Sequence, residues 1–411
     1  MKAYERLINY VKIHTASAED VDATPTTERQ FDLSRYLVEE LEKIGVSNVY
    51  MDDHAYVYGE LPATLGLEDR PCIAFIAHLD TIPDFSGENV KPQVIENYDG
   101  GDVVLGESGR VLSVEKYSHL PSLKGQTLIT TDGTTVLGAD DKAGIAEIVT
   151  ACERLINGML PHGRIAVCFT PDEEVGHGAS LLDIGRTGAD FAFTLDGGEV
   201  EELNYETFNA AGARVDFNGF NIHPGSAKDM MINASLVAME FNSLLPAGDV
   251  PSKTEDYEGF YHLTDMSGSV EKASLSYIIR DHDKAAFECR KALMRHAVKV
   301  INEKYGDGTA ELTIREQYSN MAEYVMTRPE IVELAKRAIR REGLEPAIIP
   351  IRGGTDGAQL SRRGLLCPNL GTGGYSFHGP YEHITVEGMD TETAILLELV
   401  RLYADRAGDA D

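Results

Sequence analysis

Three runs of uninterrupted apolar residues constrain this chain most: Cys72 to Ala77, Ile165 to Phe169, and Phe191 to Leu195. A strand without polar alternation has no face to offer water. It must be covered on both sides, as in a largely parallel sheet clad with helices. Helical patterns surround the runs. Tyr4, Leu7, Ile8 and Val11 mark one; Leu33, Leu37, Leu41 and Ile44 a second; Ile145, Ile148, Val149, Cys152, Leu155 and Ile156 a third. Thr27 and Gln30 have capping-box spacing ahead of the second helix, and Gly45 is placed to end it. Alternating buried strands and helices predict an α/β domain. The stretch 84–130 is polar and Gly-rich, and irregular strands and loops are expected there.

The pattern changes near residue 208. Ala213, Val215 and Phe217 alternate with Arg214, Asp216 and Asn218, so this strand has one wet face. Leu275, Tyr277 and Ile279 repeat the pattern, as do Leu312 and Ile314. A helix is predicted from about Ala227 to Leu245, another through Met294, Val298, Ile301 and Tyr305, and an edge strand at Gly259 to Leu263. Residues 208–320 therefore read as an α+β domain with an antiparallel sheet, inserted into a first domain made of 1–207 and 321–411. Thr327, Pro329 and Glu330 suggest a capped helix ending at Gly343, and Leu396, Leu399, Val400 and Tyr403 a terminal helix.

At 411 residues the chain is too long for one core, in agreement with that division. Its formal charge of −30, from 67 acids against 37 Lys and Arg, argues against nucleic acid and against an anionic membrane as partners, since both require a basic face. Five scattered cysteines, with no CxxC pair, fit a reduced, cytoplasmic chain. The first twenty residues read as an amphipathic helix and not as a signal peptide, and no apolar run approaches a bilayer span.

The apolar runs end in metal-type ligands: His78 and Asp80 after the first, Glu173 and Glu174 after the second, Asp196 after the third. Asp140 stands in the turn before a helix. Ligands of open α/β sheets bind beyond the carboxyl ends of the strands, where these side chains could converge. Each piece alone has an ordinary reading: a structural histidine, an acidic turn at Thr170 to Gly178, a helix N-cap at Asp140-Asp141, a turn at Asp196-Gly197-Gly198. Their joint occurrence favours a cation site. Imidazole with carboxylate suits zinc and also cobalt or manganese. Lys142 after Gly138 lacks the spacing of a phosphate loop.

His78-Leu79-Asp80, Gly138 to Lys142, Pro171 to Gly176 and Asp196-Gly197-Gly198 together resemble the M20 family of di-zinc metallopeptidases. Asn221 to Lys228, Glu258 to Leu263, Ile279 to Asp281, Arg352 to Gly357 and Gly373 to Gly379 narrow the resemblance to the family's tripeptide aminopeptidases. The resemblance implies two Zn²⁺ per subunit, with Co²⁺ or Mn²⁺ as substitutes. Asp140 bridges them, His78 and Asp196 complete one site, and Glu174 and His378 the other. Asp80 orients His78. Glu173 is the general base toward a water between the metals. His383 is the rival for the last ligand. The inserted domain becomes a lid that dimerises, with His223 acting on the scissile carbonyl and Arg280 and Arg352 on the substrate carboxylate. The expected protein is a homodimer releasing the N-terminal residue of tripeptides. Alternatives are a dipeptidase, carboxypeptidase or N-acyl amino-acid hydrolase on the same scaffold, or a non-catalytic relative that binds metal or peptide.

Overall fold

The computed structural model describes Met1–Asp405. The chain divides into two compact units. The first comprises Met1–Tyr205, Tyr324–Ile349 and the chain from Thr355 on; the second comprises Glu206–Glu323 and Pro350–Gly354. None of the helices of the described residues is long and apolar enough to cross a membrane.

An eight-stranded mixed sheet organises the first unit. The three apolar runs are neighbours at its centre: Ile73–His78 pairs in parallel with both Ile165–Thr170 and Phe191–Leu195. Every residue of these strands is buried. Antiparallel pairing enters toward the edges, between Ser47–Met51 and Val57–Leu61 and between Val57–Leu61 and Ile165–Thr170. The helix Ala139–Gly158 lies against the Ile73–His78 strand on one side and against the helices Ala3–Tyr10 and Val386–Asp405 on the other. Sandwiched in this way, it buries Lys142 and Glu147 along with its apolar stripe. The amphipathic pattern implied only one covered face.

The 84–130 stretch is more ordered than expected. Gln93–Ile95 and Leu128–Thr130 join His383–Thr385 and Gly374–Tyr375 in a four-stranded antiparallel sheet. Tyr98, Val103, Leu105, Leu112, Leu120, Leu123 and Leu128 form a separate apolar cluster beneath it. These residues are too widely spaced for a periodic signal, and only the folded turns gather them. This small sheet carries the loop on which His378 stands.

Neither expected capping box forms. The second helix starts at Gln30 with Arg29 in helical geometry at its head. The Gln30 amide reaches Asp172 at 2.6 Å, a buried charged acceptor that outcompetes a local cap. The later helix, Pro329–Arg341, has proline at its start and no side-chain cap; the Thr327 hydroxyl turns back to the Tyr324 carbonyl.

The second unit is an antiparallel four-stranded sheet, ordered Phe260–Gly268, Lys272–Asp281, Asn209–Asn218, Ala310–Tyr318. Its apolar face packs against the helices Ala234–Ser243 and Lys284–Tyr305. The first of these helices begins later than the predicted Ala227. A bridge between Phe220 and Ile232 closes residues 221–231 into a loop, and Asn233 then caps the helix by accepting from the Ser235 and Leu236 N–H groups. Pro350–Gly354 packs with this unit although it follows the insert in sequence. The Ile351 N–H donates to the Glu206 carbonyl, and Arg352 donates to the carbonyls of Asp256 and Glu258.

Candidate metal centre

Because the central strands are adjacent and parallel, their carboxyl ends deliver His78, the Glu173–Glu174 loop and Asp196 to one place. Asp140 arrives from the head of the helix Ala139–Gly158, where it and Asp141 lie outside helical φ/ψ. His378 arrives from the loop joining Gly374–Tyr375 to His383–Thr385.

The Asp140 carboxylate lies between two imidazoles. Its Oδ1 is 2.9 Å from His78 Nε2 and its Oδ2 is 3.0 Å from His378 Nε2. His78 Nε2 is also 3.6 Å from Asp196 Oδ1, and His378 Nε2 is 3.2 Å from Glu174 Oε2. His78 Nδ1 donates to the main-chain carbonyl of Asp80 at 3.0 Å, with the Asp80 carboxylate at 3.4 Å, which fixes the ring and aims Nε2 inward. Asp80 also accepts from the N–H groups of Glu173 and Glu174 at 3.0 and 3.2 Å, so it positions the acidic loop as well as the imidazole.

This donor set fits divalent metal. Nitrogen and oxygen ligands of one tetrahedral ion, each about 2.0–2.2 Å from it, stand roughly 3.3 Å apart. The nitrogen–oxygen separations here run from 2.9 to 3.6 Å. His78, Asp140 and Glu174 form one group close enough to share an ion, and His78 with Asp196 belongs to a second. The second group geometrically includes Asp141. However, the Asp141 oxygens already accept from the N–H groups of His78 at 3.0 Å and Gly144 at 3.2 Å, whereas the Asp140 oxygens face the two imidazoles.

The electrostatics match a site built for cations. Burial opposes charging of His78, but hydrogen bonds to Asp140, Asp196 and Asp80 outweigh it and push its pKa well up. Hydrogen bonds to Asp140 and Glu174 raise His378 to about 11. Burial and the Asp140 charge raise Glu174 to about 7. Burial, then the charge of Asp196, pushes Glu173 well above the usual carboxylate range. The Glu173 carboxylate is half-buried. The carboxylates carry more negative charge than the surrounding protein offsets, so they attract protons or metal.

His383 is not in this cluster. It is buried, donates from Nδ1 to the Tyr381 carbonyl at 2.7 Å and meets His119 Nε2 at 2.8 Å. His223, Arg280 and Arg352 belong to the second unit. His223 is exposed on a loop, with Nδ1 accepting from the Gly225 N–H at 3.1 Å. Arg280 donates to the Ile279 carbonyl at 3.0 Å and covers the Tyr318 ring, whereas Arg352 gives its donors to the Thr254, Asp256 and Glu258 loop.

Sequence reasoning left several supporting residues without roles. Asp172, buried beside Glu173 and Glu174 in sequence, accepts from the Thr26 N–H at 2.8 Å and the Gln30 amide at 2.6 Å, tying the loop to the N-terminal segment. Asp356 is buried and accepts from the Thr170 hydroxyl at 2.8 Å. A Cβ at Gly178 would lie 2.3 Å from the Asp356 carboxylate, so this close approach requires glycine. Glu382 accepts from three main-chain N–H groups around Asp140. Adjacency to a motif was the only signal for any of them.

Residues 136–402 match the model of peptidase family M20/M25/M40. The chain is 53% identical over 406 residues to peptidase T of Clostridium perfringens, covering 98% of this chain and 100% of the relative. It is 50% identical to peptidase T of Exiguobacterium sp., covering 99% of each. Among solved structures, the aminopeptidase PepT from Bacillus cereus superposes with a TM-score of 0.77 at 24% identity, over 98% of this chain and 99% of that one. A dinuclear metal-binding peptidase of the M20 family from Bacillus subtilis superposes at 0.66 with 15% identity, over 97% and 98%.

Proposed function

The chain belongs to peptidase family M20/M25/M40, and from that premise we propose how its residues divide the work of peptide hydrolysis. The protein is a tripeptide aminopeptidase that depends on metal. The observation that carries the mechanism is the Asp140 carboxylate held between His78 and His378, with Glu173 beside it.

His78 and Asp196 would hold one metal, His378 and Glu174 the other, and Asp140 both; zinc suits these donors best. When bound, the pair supplies Lewis-acid polarisation of the scissile carbonyl and acidifies water near neutral pH. Asp80 keeps His78 aimed and Glu173 and Glu174 in place through the loop N–H groups. Glu173 accepts the proton of the attacking water and delivers it to the departing amine.

The inserted unit, residues 208–320 on sequence grounds, serves as lid and dimer contact. Leu236 and Met239, 61% and 56% exposed on the helix Ala234–Ser243, support a face covered by a second subunit. Arg280 and Arg352 would receive the substrate's free carboxylate and His223 would polarise the carbonyl, in a cytoplasmic homodimer acting on short peptides.

A panel of free, N-acetylated and C-amidated tripeptides, run with metal analysis of the same sample, tests the reading. Cleavage of the free peptide with release of its first residue is expected. Rapid turnover of the acetylated peptide with none of the free one would make the protein an N-acyl hydrolase instead.

A further inference from the structure

Glu382 lies four residues after His378 and is 1% exposed. Its carboxylate accepts three main-chain hydrogen bonds. Oε2 takes the N–H groups of Leu137 at 2.7 Å and Gly138 at 2.9 Å, and Oε1 takes that of Asp140 at 2.9 Å. These donors span the turn that brings Asp140 to the site. Gly138 has φ of +78°, and Asp140 and Asp141 have non-helical dihedrals, so this turn departs from regular helix geometry. Amides at a helix start have no intrahelical partner, and a buried carboxylate is a strong acceptor for them. Next to the turn, Lys142 is buried with Nζ donating to the Ile13 carbonyl at 2.8 Å.

Taking the metallo-aminopeptidase reading as its basis, we propose that Glu382 is a positioning residue for the metal centre. It presets the Asp140 carboxylate between His78 and His378 before metal arrives. One short segment, His378 to Glu382, then carries a metal ligand at one end and the clamp on the shared ligand at the other. The two metal positions are thereby built together. Asp80 does the equivalent for Glu173 and Glu174. In both cases a carboxylate that binds no metal fixes, through backbone N–H groups, the acids that do the chemistry.

The test is Glu382→Gln. The side chain keeps its size but replaces one acceptor oxygen with a donor, so at least one of the three N–H groups loses its partner. Metal affinity, measured by competition with a chelator, is expected to fall about 10- to 100-fold. kcat for a tripeptide should fall with KM little changed, and the visible spectrum of the Co²⁺-loaded protein should change. Leu399→Ala, a core truncation in the terminal helix, is the control for general destabilisation and should keep wild-type metal affinity. Wild-type affinity and kcat in Glu382→Gln would overturn the proposal, as would an equal loss of affinity in Leu399→Ala.

Hydrogen exchange on the wild-type protein gives a second measurement should Glu382→Gln fail to fold. The amides of Leu137, Gly138 and Asp140 should be protected without metal. Protection that appears only after metal is added would mean that metal, not Glu382, orders the turn. A wild-type protein that bound no metal or cleaved no peptide would refute the functional reading, whereas the exchange result bears on Glu382 alone.

Discussion

The Asp281 pair of the inserted unit and the metal centre of the first unit treat buried acid in opposite ways. In the inserted unit, Asp281 is 4% exposed and accepts from Arg290 at 2.7 Å, and the same guanidinium reaches Asp249 at 2.6 Å. In the first unit, Asp140, Glu173, Glu174 and Asp196 crowd one site, and among the described residues none is ion-paired with lysine or arginine. Their ion-pair partners among the described residues are His78 and His378. Charge in a low-dielectric setting requires a partner. Where the chain supplies arginine, the acid is structural. Where it supplies only imidazoles, which are suited to bind metal, the donor set fits a cation from outside. The place of the guanidinium, more than the number of acids, separates framework from reactive centre.

Breaking that contrast at the metal centre should give the largest effect. Glu173→Ala is expected to lower kcat by about 10²–10⁴-fold, the usual contribution of a general base, and to leave metal content unchanged. Asp140→Asn should instead lose metal together with activity, because it removes the charge shared by both positions. Metal analysis beside kinetics distinguishes the two. If Glu173→Ala lost metal as well, Glu173 would be a ligand and the division of labour along the loop would fail.

That division was only partly legible in the sequence. Uninterrupted apolar runs fixed the central strands, since a strand buried on both faces admits no polar alternation. Strand ends then showed where His78, Glu173, Glu174 and Asp196 would meet. The resemblance alone singled out His378 over His383. Spacing does not tell which of two histidines five residues apart turns to a cluster of acids and which to a stack of rings. The clamps were signalled only by adjacency to a motif. Asp172 and Glu382 act on backbone N–H groups of distant segments, and such contacts leave no periodicity or local spacing. Nor did the pattern of the helix Ala139–Gly158 reveal that Lys142 and Glu147 are buried, because a second layer of helices covers its polar face.

In the inserted unit the matching test is Arg290→Met. It leaves Asp281 buried without its guanidinium, and the loss of one partner from such a pair costs about 3 kcal/mol. Arg290 is only 16% exposed, so solvent screening reduces this little. A fall in Tm of several degrees is expected in calorimetry, with metal stoichiometry unchanged. Loss of metal in this variant would show that the two units do not treat charge independently, and the contrast would break.

The smallest effect comes from two histidines five residues apart. Among acids, His378 is raised to about 11. Burial lowers His383 to about 4, since no acid is bonded to it. Its Nδ1 donates to the Tyr381 carbonyl, so its Nε2 must accept from the His119 N–H, and the ring is held neutral. Unfolding releases His383 to an ordinary pKa near 6.5, so between about pH 4 and 6.5 the unfolded chain binds the extra proton. The stability contributed by the neutral ring is therefore full above pH 6.5 and falls as pH drops toward 4. Burial lowers His119 too, which adds to the same slope. The expected loss between pH 7 and pH 5 is on the order of 2 kcal/mol. His383→Gln, whose amide still donates to Tyr381 and accepts from His119, should flatten that slope when urea midpoints are compared at the two pH values. An unchanged slope would mean that His383 titrates normally, and that burial without acids does not set the two histidines apart.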